Sequence, residues 1–298
     1  VRQDRWEIPD KKENVLFFDA SGIMSAIVPR VFDSVMDQKT YSLNLALPAL
    51  PIGPYYHCLL DYLENNSPPE YIIMAYHVES NPILLFDSYA NQGIDFPDEV
   101  LSYFFNRADK NQTLNYILPM HVYRESLFKY LYNSIADPNN IEQRRQTNHR
   151  VVQKMINDRG YYFIMEQSRF PGGRLPDDFK AETDCQDCEM KMFDPDSDVY
   201  VEKFFRLTQE HNINVLLIPH PVREGAYKQF EVVPDPVSKL NTRYANVSLP
   251  EEGWKIPFYK NKYFSDPHHL NYTGAEKFTR KVATMFKGVY FSDRSDIP

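Results

Sequence analysis

Short runs of consecutive apolar residues constrain this chain more than any other feature. Val15-Leu16-Phe17-Phe18 is one, Tyr71-Ile72-Ile73-Met74-Ala75-Tyr76 another, and Val215-Leu216-Leu217-Ile218 within Asn214–Pro219 a third. A strand with one wet face alternates apolar and polar residues. Unbroken runs of this length suit strands buried on both faces, as in parallel sheets. Tyr41 to Leu47, closed by Pro48 and Pro51, and Tyr161 to Met165, after Gly160, are further strand candidates. Helical spacing lies between them, at Tyr55, Leu59, Leu60 and Leu63 and again from Val201 to His211, with Asp198 as its N-cap. Strands alternating with helices predict an α/β fold, a parallel sheet of about five strands with helices on its faces.

Pro82 to Asp158 breaks this rhythm. Tyrosine, phenylalanine and amide residues dominate there, with helical spacing at Glu99–Phe105, Leu127–Ile135 and Val151–Ile156. The segment 82–158 is expected to be a mostly helical insertion, packed over or beside one edge of the sheet. Ser168 to Asp196 reads as a long loop, a type that is often functional. Thr273-Gly274-Ala275-Glu276 has the spacing of a capping box, opening a last helix with apolar Ala275, Phe278, Val282, Met285 and Phe286. With no internal repeat, residues 1–298 read as a single α/β domain carrying that insertion.

Charge excludes one large class of partner. The net charge of −8 is scattered along the chain, the wrong sign for gripping a nucleic-acid backbone. No stretch approaches the ~20 consecutive apolar residues that span a bilayer. The chain opens on Val1 with a polar stretch to Lys12, and reads as the trimmed body of a longer chain, with room ahead of it for a signal peptide or anchor. Three cysteines, Cys58, Cys185 and Cys188, are too few and too odd in number for a disulfide scaffold.

Chemistry enters where the first apolar run ends, at Asp19-Ala20-Ser21-Gly22. Open α/β sheets place their sites at the carboxyl ends of their strands. A serine hydroxyl there needs a base within hydrogen-bond reach and a group to orient that base. Asp266-Pro267-His268-His269 offers both, just before the last helix. The loop can turn Asp266 onto one imidazole nitrogen and leave the other free for the serine proton. His268 and His269 both stand as bases on residue type alone, and Ser21 taken alone would read sooner as a helix N-cap.

These two segments resemble the SGNH (GDSL-like) hydrolase superfamily, with its serine block after the first strand and its Asp-x-x-His block before the last helix. Asp266-Pro-His-His-Leu-Asn-Tyr-Thr-Gly274 and Asn212-Ile-Asn-Val-Leu-Leu-Ile-Pro-His-Pro-Val222 also look like the AlgJ/AlgX-type subgroup of bacterial polysaccharide O-acetylation proteins. The resemblance covers residues 14–81 and 198–287. It implies a three-layer α/β/α sandwich of flavodoxin-like type. It also implies a catalytic triad of Ser21, His269 and Asp266, with no cofactor. The implied activity is that of an esterase or O-acyltransferase acting on an ester such as an acylated glycan. An extracytoplasmic, membrane-anchored parent chain and a membrane-bound acyltransferase partner go with it. The sequence departs from the pattern in three places. Asp19-Ala20 stands where the family has Gly-Asp, Ala46 falls where its second-block glycine lines the oxyanion hole, and its third-block asparagine is missing in register. Ser21 and Ala46 are expected to give backbone oxyanion donors, and His77, Glu79 and Asn81 stand near the missing asparagine, with Asn81 expected in the hole. These departures keep open a catalytically inactive module that binds a glycan or an acyltransferase.

His220 and Arg223 follow the run at 215–218 and, with His77 and His268, are candidate substrate contacts. Arg223 suits an anionic group, and equally a solvated surface loop. Asp266, His268 and His269 do not have the spacing of a metal site, and no metal is expected. Cys185-x-x-Cys188 reads as half a zinc site, a redox pair, or, favoured here, local thiols or an incidental disulfide. The 21 tyrosines and 20 phenylalanines suit an aromatic core better than an aromatic cleft, because no stripe stands out.

Overall fold

The structure, a computed structural model, describes residues 13–47, 52–75, 138–182, 184, 194–197, 199–226 and 234–291. It is a mixed α/β structure around a central parallel sheet of five strands, with seven α-helices among the described residues. The sheet strands are β1 (Val15–Phe18), β2 (Ser42–Asn44), β3 (Tyr71–Ala75), β4 (Asn214–Ile218) and β6 (Val247–Ser248), in the spatial order β2-β1-β3-β4-β6, all parallel. A separate parallel pair joins β5 (Val222–Arg223) to β7 (Phe258–Tyr259).

The unbroken apolar runs have a direct physical cause. Leu16, Phe18, Ile72, Met74, Val215 and Leu217 face one buried cluster with α3 (Ile52–Asn65), α5 (Val199–Glu210) and α6 (Asp235–Arg243). Val15, Phe17, Ile73, Ala75, Leu216 and Ile218 face the other, with α2 (Pro29–Val35) and α7 (Tyr272–Phe291). Alternate residues go to opposite faces, so a sheet covered on both sides needs apolar side chains at every position. The chain builds from β1 out to β2, then crosses to β3 on the other side. That reversal puts the crevice of an open α/β sheet beside the end of β1.

Two expectations about this scaffold are corrected. Tyr161–Met165 is not a strand, and the fifth sheet strand is the two-residue β6. Tyr161 is fully buried and packs edge-on against Phe163 at 4.5 Å. Just before it, the Arg159 carbonyl accepts the outward N–H of Asn44 at 2.9 Å, covering the edge of β2 with a crossing chain. Gly160 makes that crossing feasible: its φ is +91°, and a Cβ there would overlap the Asn44 carbonyl. The last helix opens at Tyr272 rather than on the Thr273–Glu276 box. Its cap is Asn271, whose Oδ1 accepts the Gly274 N–H at 3.1 Å.

Of the predicted insertion, the part from 138 onward is one helix, α4 (Pro138–Asn157). The predicted helices at 99–105 and 127–135, the Asp198 cap and the Cys185/Cys188 pair lie outside the described residues. No helix among the described residues is long and apolar enough to cross a membrane.

A buried ionic knot holds β2 to α2 and to the exit of α4. Asp33, 1% exposed, accepts from Arg159 Nη1 at 2.6 Å, from Thr40 Oγ1 at 2.7 Å and from the Ser42 N–H at 3.2 Å. Removing one partner of such a pair strands the other charge away from water. Asp33→Ala is therefore expected to lower unfolding stability by about 3 kcal/mol or more, read from urea denaturation. A loss under ~1 kcal/mol would show that Arg159 finds other solvation.

Candidate active site

The turn after β1 carries the serine. Ala20 is extended and makes no side-chain cap, so Ser21 opens α1 (Ser21–Met24) as its first residue and its hydroxyl is not consumed in capping. The opposite partner comes from a tight loop near the other end of the chain. Phe264 and Leu270 form an antiparallel bridge, and the Ser265 N–H donates to the His269 carbonyl at 2.8 Å, closing the loop between them. Ser265 is anchored in turn by its hydroxyl, which donates to the Gly173 carbonyl at 2.9 Å.

The two segments meet. His269 Nε2 lies 2.8 Å from Ser21 Oγ, and His269 Nδ1 lies 2.8 and 2.9 Å from the Asp266 carboxylate oxygens. The carboxylate fixes the proton on Nδ1 and leaves Nε2 as the acceptor facing the hydroxyl. Asp266 Oδ1 also accepts the backbone N–H groups of His268 at 2.8 Å and His269 at 2.9 Å. Burial alone would raise the pKa of this carboxyl. The hydrogen bond and charge of His269, with the two backbone donors, outweigh it and hold the group below its ordinary value. Asp266 is thus an anion at neutral pH, oriented before any ligand arrives.

The adjacent histidine diverges. The ring centroids of His268 and His269 are 6.5 Å apart at 86°, and His268 is exposed. Burial of part of its ring lowers the His268 pKa, partly opposed by Asp266. Among the described residues no group of three metal-binding side chains comes together.

Two predicted contacts are corrected. Ala46 does not present a free oxyanion donor, because its N–H donates to Asn44 Oδ1 at 3.0 Å. Asn44, buried at the end of β2, also donates through Nδ2 to the carbonyls of Ile23 and Ile27, each at 3.1 Å, so it clamps the loop after β2 to α1. Arg223 is neither a solvated charge nor open to a ligand. It is 3% exposed, ion-paired with Asp184 and donating to Asn261 Oδ1 at 3.4 Å, with Phe179 beneath the guanidinium. His220 does reach the site: its imidazole lies against Gly22, the residue after the serine. His77, Glu79 and Asn81 lie outside the described residues.

The sequence reading overlooked Asp19. Its carboxyl is 2% exposed, and Oδ2 has no hydrogen-bond partner among the described residues. Burial pushes its pKa up to about 8, against a smaller opposing hydrogen bond from the Ala20 N–H. The backbone at Asp19 has φ 153°, a conformation that favours glycine, and its carbonyl accepts the Leu47 N–H at 3.0 Å.

Fold and site together define a parallel α/β protein with a serine–histidine–aspartate constellation at the carboxyl rim of its sheet. The profile of an uncharacterised protein family matches residues 188–289, less than half the chain, a stretch that includes Asp266 and His269 but not Ser21. Comparison with curated proteins and with solved structures returns no match.

Asp19 gives a pH test. Its folded pKa lies above the unfolded carboxyl value, so the native state holds a proton that the unfolded chain releases. Its contribution to stability is fully present below about pH 4 and is lost as pH rises towards about 8. Asp19→Asn, neutral at all pH, is expected to flatten the decline in melting temperature between those limits and to exceed wild type above pH 8. A variant that melts in parallel with wild type across the window would place no buried proton at Asp19.

Proposed function

We propose that this protein is a serine esterase or O-acyltransferase of SGNH type, with Ser21 as nucleophile, His269 as general base and Asp266 as the residue that orients and stabilises the imidazolium. One observation carries the reading: the continuous contact from Ser21 Oγ through His269 to Asp266, each link at 2.8 Å. The strand order β2-β1-β3-β4-β6, with helices over both faces, supports a three-layer sandwich of flavodoxin-like connectivity.

In the first half-reaction Ser21 Oγ attacks an ester carbonyl as its proton passes to His269 Nε2. A C–O bond forms, the carbonyl π bond opens to an oxyanion, and Asp266 offsets the charge on the ring. Collapse expels the alcohol, which takes the proton back from His269. Water or an acceptor hydroxyl then attacks the acyl-serine by the reverse steps, giving hydrolysis or transfer. An acylated glycan as substrate, an extracytoplasmic setting and a membrane-bound acyltransferase partner follow from the resemblance to the polysaccharide O-acetylation proteins.

A second reading is favoured by a specific observation. With the Ala46 N–H engaged by Asn44, the oxyanion position has fewer backbone donors than the resemblance implies. On this reading the fold is an inactive module that binds a glycan or an acyltransferase. A fluorophosphonate probe and p-nitrophenyl acetate separate the two. Wild type is expected to be labelled and to turn over the ester, Ser21→Ala to do neither, and Asp266→Asn to lose about 10³–10⁴-fold in kcat. Wild-type protein that resists the probe and leaves the ester intact would favour the binding module.

A further inference from the structure

Acyl transfer needs hydrogen-bond donors placed in advance at the position where the oxyanion develops. The backbone N–H groups of Ser21 and Gly22 open α1, and neither has a backbone acceptor among the described residues. The Ala46 N–H is engaged, Arg223 is held by Asp184, His268 diverges and His269 is the base. Among the described residues, the ring of His220 also lies at this turn, against Gly22. It stands just beyond the end of β4, and β3 lies between that strand and β1, so the side chain extends past the end of β3 to the serine turn.

The contact is close enough to dictate the residue beneath it. A Cβ on Gly22 would overlap Nε2 and Cε1 of the imidazole. Gly22 lies inside α1, where glycine is otherwise a weak choice, and it is buried with a backbone outside the left-handed region. The missing side chain is what lets the ring settle against the residue that follows Ser21. Pro219 and Pro221 flank His220 and limit the backbone on both sides of it.

We propose that His220 supplies the side-chain donor of the oxyanion hole, an inference that rests on the Ser21 acyl-transfer reading. When the Ser21 Oγ–carbon bond forms, the former carbonyl oxygen takes the negative charge and accepts hydrogen bonds from the Ser21 N–H and from a His220 ring N–H. The ring keeps its proton throughout, and on collapse the carbonyl re-forms and the donors relax. Gly22 and His220 then act as a matched pair, the first making room for the second.

Steady-state kinetics on p-nitrophenyl acetate test this, with melting temperatures confirming that each variant is folded. His220→Ala is expected to lower kcat about 10²–10³-fold with KM changed by only a few fold, the signature of a contact made in the transition state. His220→Gln, which keeps an N–H at similar reach, is expected to recover part of that loss. Gly22→Ala, which displaces the ring without touching it chemically, is expected to behave like His220→Ala. Wild-type kcat in folded His220→Ala overturns the proposal, as does equal impairment in His220→Ala and His220→Gln, which would mark a packing role. A failure of the underlying reading looks different: no Ser21-dependent turnover or labelling in the wild type removes the triad and the proposal together.

Discussion

The candidate site depends on α7 being locked against the chain that leaves the serine turn. Thr279, fully buried on α7, accepts the Val28 N–H at 3.0 Å, and its hydroxyl lies 3.1 Å from the Ala26 carbonyl and 2.7 Å from that of Ala275. A buried N–H without a partner costs about 1–3 kcal/mol, so the hydroxyl is effectively obligatory once those apolar surfaces close. Around it Phe278, Val282 and Phe286 pack with Ile23, Ile27 and Phe32 in one cluster. The loop with Asp266 and His269 leads directly into α7, and Ser21 lies one short helix, α1, before the segment that Thr279 grips. Fixing the helix therefore fixes the distance between hydroxyl and imidazole, across 248 positions of sequence.

The same rim shows how structural and chemical demands compete for donors. Asn44 joins three backbone groups from two segments, and a buried amide satisfied this fully stiffens the turn. It also takes the N–H that the resemblance assigned to catalysis. Rigidity around Ser21 and a generous oxyanion hole cannot both draw on the Ala46 N–H. The Ala46 N–H goes to rigidity, and on the proposed reading the demand for a donor falls on a side chain entering from β4.

Legibility in the sequence followed burial symmetry. β1, β3 and β4 were readable because each face of the sheet is covered, which forces apolar residues at consecutive positions. β6 has two residues and offers no period to detect. Tyr161–Met165 had the composition of a strand, but its aromatics pack with one another and with Tyr272 beside an edge already crossed by Arg159 and Gly160. Ser21, Asp266 and His269 were legible because the proposed chemistry needs those residue types in those blocks. The fates of Ala46 and Arg223 were not, since a backbone N–H carries no residue signal and an arginine does not announce which carboxylate holds it. Asn44 left one faint sign: an amide closing an apolar strand, where a buried polar group needs a purpose.

Asp19 completes the physical picture of the turn. On the proposed reading, a carboxylate two residues before Ser21 would put a negative charge beside the place where another develops. Full burial prevents this below about pH 8, because desolvation disfavours the charged form more than the single Ala20 hydrogen bond supports it. A neutral acid at this position leaves Asp266, on the far side of the imidazole from the serine, as the carboxylate in contact with His269. On the proposed acyl-transfer reading, that arrangement favours positive charge growing on His269 and keeps the Asp19 carboxyl from opposing charge on the attacked carbonyl. The turn thus tolerates an acidic residue where glycine would sit more comfortably, provided its proton stays on.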